Sequence, residues 1–267
     1  MRKITLFLSA FALVLVAMNA CQKDDATPEA AFVAATEDAA AAEDFSEQTD
    51  VDIDLAVEDR GSSQGCPVVT FAQPWGTWPN TITIDYGDNC VRPDGRVLKG
   101  KIIVNQSNEL TAAGATRMVT YDNFFIDDVQ VLGAKSWINN GPDAQGLPSY
   151  TKTAQNMQLL FADGASITWN TNRTSTLVEG AGTPTFRDNV WQITGASSGV
   201  NRNGESYTAT ITEPLVKSAD CRWISQGVFA LTRDGRTATL DFGDGACDRW
   251  ANLTVDNGTV VTIRLRR

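Results

Sequence analysis

Asp-Gly or Asn-Gly pairs punctuate this chain, among them Asp94-Gly95, Asp163-Gly164, Asn203-Gly204, Asp234-Gly235 and Asn257-Gly258. Each falls between runs in which apolar and polar residues alternate. Such pairs accept the positive φ of tight hairpin turns, and a period of two marks strands buried on one face. The pattern predicts strands near 66–72, 80–86, 96–105, 115–126, 128–138, 151–162, 165–178, 189–197, 205–212, 222–232, 236–243, 249–256 and 259–266. From residue 60 onward no stretch has helical periodicity. The expected fold is all-β, an antiparallel hairpin meander closed as a barrel or stacked as a sandwich, because that many strands must bury one face. The turn-rich stretch Asn139–Pro148 falls near the middle, and residues 60–267 read as a single β-rich body.

One segment occurs twice. Thr81–Cys90, TITIDYGDNC, returns as Thr237–Cys247, TATLDFGDGAC. In each copy an alternating strand enters a Gly-Asp turn and ends on cysteine, with another cysteine upstream, Cys66 or Cys221. The duplication implies two related halves and favours disulfides Cys66–Cys90 and Cys221–Cys247, with cross-half pairing as the alternative. Each closed loop contributes roughly 3–4 kcal/mol in the chain-entropy picture.

Charge is distributed unevenly. Residues 22–59 hold 13 Asp/Glu against Lys23 alone, whereas residues 60–267 hold 19 of each sign. A body without basic excess gives no expectation of nucleic-acid binding. The acidic, Ala-rich stretch to Asp59 reads as a flexible tether that cannot bury enough apolar surface to order itself. As a random coil it reaches on the order of 35 Å. Within it Val51, Ile53, Leu55 and Val57 alternate with Asp52, Asp54 and Ala56, a pattern that also admits a short edge strand. The chain has no histidine, which excludes Ser-His-Asp and Cys-His nucleophiles and His-based zinc sites.

Met1–Ala20 begins with Arg2 and Lys3 and continues in an apolar run ending on small residues, the pattern of a secretory signal. Met18-Asn19-Ala20-Cys21 resembles a bacterial lipobox, with Met18 in place of the usual Leu. The resemblance implies cleavage before Cys21 and its lipidation, and acyl chains on that residue give firm anchoring. Gln22, Lys23, Asp24 and Asp25 follow, and Cys21–Asp25 resembles the export signal carrying lipoproteins of the Bacteroidetes to the outer face of the outer membrane. The expected organisation is a lipoprotein signal at 1–20, a lipidated Cys and acidic tether at 21–59, and the β body, lipid-anchored at the outer membrane and facing the exterior.

Two features of the body are candidates for chemistry. Trp75 and Trp78 sit in a proline-bounded loop, Gln73–Pro79, where indoles can stack on sugar rings or enter a partner's pocket. The turns Asp85-Tyr86-Gly87-Asp88 and Asp241-Phe242-Gly243-Asp244 offer oxygen ligands to Ca²⁺; alternatively Asp88 and Asp244 cap the turn backbone while Asp85 and Asp241 lie on the solvent face. No cofactor is expected, and a metal is left undecided. A glycosidase would need two carboxylates, and nothing selects a pair among Glu109, Asp122, Glu179, Glu205 and Glu213. Gly199–Leu215, then Cys221-Arg222-Trp223-Ile224 and the two Gly-Asp segments, are similar to a group of uncharacterised Bacteroidetes surface lipoproteins. That likeness implies localisation and a β-rich body and carries no catalytic residue. The functional expectation is a surface-displayed binding or structural module, with a glycan or an envelope protein as partner.

Overall fold

The computed structural model describes residues 28–60 and 65–265. One helix, α1 (Pro28–Glu58), precedes fourteen antiparallel strands. These are β1 (Val68–Phe71), β2 (Asn80–Asp85), β3 (Cys90–Val91), β4 (Val97–Gln106), β5 (Thr116–Ile126), β6 (Val129–Pro142), β7 (Pro148–Leu160), β8 (Ser166–Glu179), β9 (Val190–Val200), β10 (Ser206–Ser218), β11 (Ile224–Arg233), β12 (Arg236–Asp244), β13 (Trp250–Val255) and β14 (Val260–Arg264). The thirteen strands expected from alternation are all present, and the short β3 pairs with β4. Apart from β3, every strand pairs with its neighbour in sequence, from β1 at one edge to β14 at the other. Those edges do not pair, so the closed barrel is not formed and the stacked arrangement fits. Asn139–Pro148 is a hairpin connection within this single sheet, since β6 and β7 pair out to Pro142 and Pro148.

The flexible tether is the main departure from expectation. Residues 28–58 form a helix 31 residues long, and neither the coil nor the short edge strand at Val51–Val57 is present. Every residue from Ser46 to Asp54 is buried. At about 3.6 residues per turn, nine consecutive residues cover the whole circumference, so the sheet surrounds this part of the helix. Phe32, Ala39 and Ala40 pack into one apolar cluster with residues of β6–β14. Ala42, Ile53, Ala56 and Val57 pack into a second with residues of β2–β8.

The physical reason is charge pairing across the two segments. Arg173, Lys152, Lys135 and Arg117 come from the four consecutive strands β8, β7, β6 and β5, and all four are buried. They meet Glu43, Glu47, Asp50 and Asp54, which lie four, three and four residues apart on one stripe of the helix. Successive acids on that stripe are separated by roughly 4.5–6 Å along the axis, close to the ~4.8 Å between strands. The helix therefore crosses these strands, meeting one new cation at each. Asp52 takes both ends of the Arg96 guanidinium at 2.6 and 2.9 Å, and Asp38 holds Arg202. An acidic segment that cannot fold alone is ordered by cations the sheet turns inward.

Curvature comes from kinks within the strands. Gly133 has φ +108°, and a Cβ there would lie 2.6 Å from the backbone oxygen of Asn156 on β7, where the register shifts. Gly100 stands in the same relation to Asn123 of β5. Glycine is required at both, and such bulges bend and twist a sheet enough to wrap a helix. The outward positions of β7–β9 carry Thr151, Thr153, Gln155, Asn170, Asn172, Thr174, Gln192 and Ser198. That polar surface suits water, whereas a lipid-facing barrel presents apolar residues outward.

Both duplicated segments end in disulfides, Cys66–Cys90 and Cys221–Cys247, rather than in cross-half bonds. The two turns share a hydrogen bond, Gly87 N to Asp85 Oδ1 and Gly243 N to Asp241 Oδ1, each 2.8 Å. Tyr86 and Phe242 are buried beside them.

Candidate functional site

The C-terminal end of α1 opens into a cleft of about 260 Å³. Asp54 and Val57 form its helix side. Trp75, Trp78 and Leu110 form one wall, Tyr150 and Trp191 lie deeper, and the loop from Gly180 to Phe186 forms the opposite wall.

The tryptophan wall is built from its own loop upward. Asn80, at the start of β2, donates from Nδ2 to the carbonyls of Gln73 (3.0 Å) and Thr77 (3.2 Å) and accepts from Gln73 N at 3.0 Å. Those bonds fix the loop that carries both indoles. Trp75 packs edge-on against Phe71 at 5.2 Å and Trp78 at 5.6 Å. The Arg60 guanidinium lies 4.2 Å from the Trp75 ring centroid while donating to Val57 O at 3.0 Å. Arg60 thus caps the helix carbonyls and stacks on the indole at once. Trp75 remains 44% exposed, and Trp78 is half-buried beneath it.

The opposite wall is held by the helix end. Glu58 accepts from Thr185 Oγ1 (2.7 Å) and Phe186 N (2.8 Å), and Asp59 receives two bonds from Arg187 at 2.7 and 2.8 Å. Carboxylates at a helix C-terminus oppose its dipole, and these loop donors together with Arg60 offset that cost.

Beneath the cleft, Trp137, Tyr150 and Trp191 form a triangle with centroids 5.4–6.0 Å apart. Lys152 Nζ lies 4.0 Å from the Trp137 ring. Arg117 donates to Asp54 at 2.7 Å and to Gln106 Oε1 at 3.1 Å. Burial raises the Asp54 carboxyl despite Arg117, and raises the Tyr150 phenol with help from Asp54. Nearby, burial works to raise Asp50, but Lys135 and Lys152 outweigh it and hold that carboxyl below its ordinary range. The cleft therefore combines a half-exposed aromatic rim, an aromatic floor and polar groups fixed by ion pairs.

Trp75 and Trp78 are thus brought together as the sequence suggested, with Tyr150, Trp191, Asp54 and Arg117 added from elements it gave no reason to join. Of the five carboxylates considered for hydrolysis, only Glu109 lines the cleft. Glu205 pairs with Arg233 and accepts from Asn201 Nδ2. In the two Asp turns the caps are Asp85 and Asp241 rather than Asp88 and Asp244, because each accepts from the glycine N two residues on, and Asp85 also pairs with Lys101 at 2.8 Å. Among the described residues no group of three or more His, Cys, Asp or Glu side chains is placed to hold a metal ion. Cys21, Gln22, Lys23, Asp24 and Asp25 lie outside the described residues, as does the signal at 1–20.

Compared with protein-family models, curated proteins and solved structures, the chain matches none.

Proposed function

We propose that this chain is a binding module, lipid-anchored through Cys21 at the outer membrane, that takes a glycan in the cleft at the end of α1. The observation that carries the reading is Trp75, half-exposed yet fixed by Arg60, Phe71 and Trp78 at the rim of an aromatic cleft. Sugar rings stack on rigid indoles, and their hydroxyls need donors and acceptors such as those of Gln106, Glu109 and Asn189 in the same lining.

The helix gives the cleft a direction. Pro28 is seven residues after Cys21, a reach of at most about 25 Å, and α1 itself is about 46 Å long. A chain anchored at Cys21 holds the N-terminal end of α1 near the membrane and the Trp75 cleft at the far end, facing outward.

The test is thermal unfolding of the purified chain against a panel of polysaccharides, since a ligand that binds only the folded state raises the midpoint. A rise that disappears in Trp75→Ala and Trp78→Ala variants supports the reading. No rise with any glycan sinks it and turns attention to an envelope protein as partner. Separately, Cys21→Ala should move the protein out of the membrane fraction, and retention there overturns the anchor.

A further inference from the structure

A second, smaller opening reaches α1 halfway along its length. It is a slot of about 80 Å³ that touches the helix between Ala41 and Gln48, whereas the Trp75 cleft begins at Asp54. Its walls are apolar, formed by Phe45, Ile126, Val129, Leu159, Phe161 and Ile167. Two charged groups in the lining lack a close ion pair among the described residues. Asp44, 7% exposed, accepts a single long hydrogen bond, from Ile224 N at 3.3 Å, and no cation lies within 4.0 Å of it among the described residues. The half-buried Arg222 guanidinium lies over the Trp223 ring at 4.8 Å, makes no hydrogen bond among the described residues and has Asp94 at 4.0 Å as its nearest carboxylate, so its N–H groups are left to donate. Every other helix carboxylate from Glu43 to Asp54 is held by a cation within 3.1 Å. The contrast marks Asp44 as an acceptor, and Arg222 as a donor, whose hydrogen-bonding capacity the fold leaves largely open.

We infer that this slot binds a short aliphatic chain carrying a neutral head that both donates and accepts, a primary amide or an alcohol, with Asp44 receiving its hydrogen bond and Arg222 supplying one. The apolar wall suits three or four methylenes, and a head group that bonds both Asp44 and Arg222 completes their hydrogen bonding as the chain covers the slot. A neutral head is favoured by the charges around it. A carboxylate meets Asp44, with Asp94 and Asp127 also acting on Arg222, while an ammonium meets Arg222, Arg96 and Lys217. Burial lifts the Asp44 carboxyl to about 6, in keeping with an acid that no direct cation stabilises.

The probe is pentanamide, titrated into the purified chain and followed by backbone amide NMR shifts. Saturable, millimolar binding is expected, the range open to so small a ligand, with shifts confined to residues 41–48, 126–129, 159–167 and 222–224. Ala41→Leu fills the slot from the helix and Val129→Phe from the sheet, and either should abolish the shifts. Two fillers keep the test decisive should one variant fail to fold. Asp44→Asn should weaken binding about five-fold, the difference between a charged and a neutral acceptor. Pentanoate and pentylammonium should bind more weakly than the amide. Shifts outside the slot, binding that survives both fillers, or equal affinity for all three heads would overturn the inference. None of these outcomes depends on the glycan reading.

Discussion

Lys152 and Arg173 stand directly opposite one another on β7 and β8, both buried. Two cations facing across adjacent strands repel, and here they are held by the helix, Lys152 by Glu47 at 2.9 Å and Asp50 at 3.1 Å, Arg173 by Glu43. Burial works to lower the Lys152 ammonium, yet Glu47 and Asp50 outweigh it and raise it above its ordinary value. The like-charge pair is therefore a socket for the helix.

Removing one member of that socket leaves buried charge uncompensated. Lys152→Met should destabilise the fold by about 3–5 kcal/mol, read as a lower urea midpoint. Lys152→Met combined with Glu47→Gln should recover part of the loss, and strict additivity of the two would show that the pair does not couple.

Asp44 gives the stability a pH dependence of defined sign. Its carboxyl is raised from 3.8 to about 6 by burial, so the folded state binds the proton more tightly than the unfolded. That contribution is fully present below the unfolded value and is lost as pH rises through about 6, amounting to about 3 kcal/mol. Measured against the Asp44→Asn variant, the wild type should lose that much between about pH 4 and pH 7. A difference independent of pH would refute the assignment.

Gly133→Ala should cost about 2–4 kcal/mol, because the new Cβ would meet Asn156 O at 2.6 Å in a positive-φ conformation. Gly164→Ala, at φ +85° with nothing within 4 Å, carries only the backbone strain and should cost clearly less in the same unfolding assay.

Replacing Cys221 and Cys247 together with Ser should remove about 3–4 kcal/mol, and the Cys66/Cys90 pair a similar amount, since the bonds span 26 and 24 residues. Non-reducing peptide maps should show these two links alone.

The strands were legible because each carries its own period and its own turn, so β4–β14 fall close to where alternation puts them. The helix was not, because residues 28–58 have no apolar face that would identify one and order only against partners distant in sequence. A signal for those partners was present. Arg117 shares the core-facing register with Val119, Lys152 with Tyr150 and Ala154, Arg173 with Trp169 and Leu177, and Lys217 with Leu215. A cation on the apolar face of several strands calls for an internal anion, and net charge conceals it because it sums over both faces. For the cleft, the proline-bounded loop disclosed Trp75 and Trp78. Nothing in the sequence sets Tyr150 and Trp191 apart from core residues, and only the helix end brings Asp54 into the same cleft.

The order in which the chain is made bears on how it can fold. Its first described element finds its partners last, since Asp44 meets Ile224 180 residues later and Glu43 meets Ser197 154 residues later. Contacts at such separations carry a large loop-closure cost before they are rewarded, which slows folding. The acidic segment has no counter-charges until the sheet that follows it in the chain exists, so it cannot order by itself. Completion of the sheet, through the last strands that pack on the helix, is then the event that captures it, in a chain whose beginning becomes its centre.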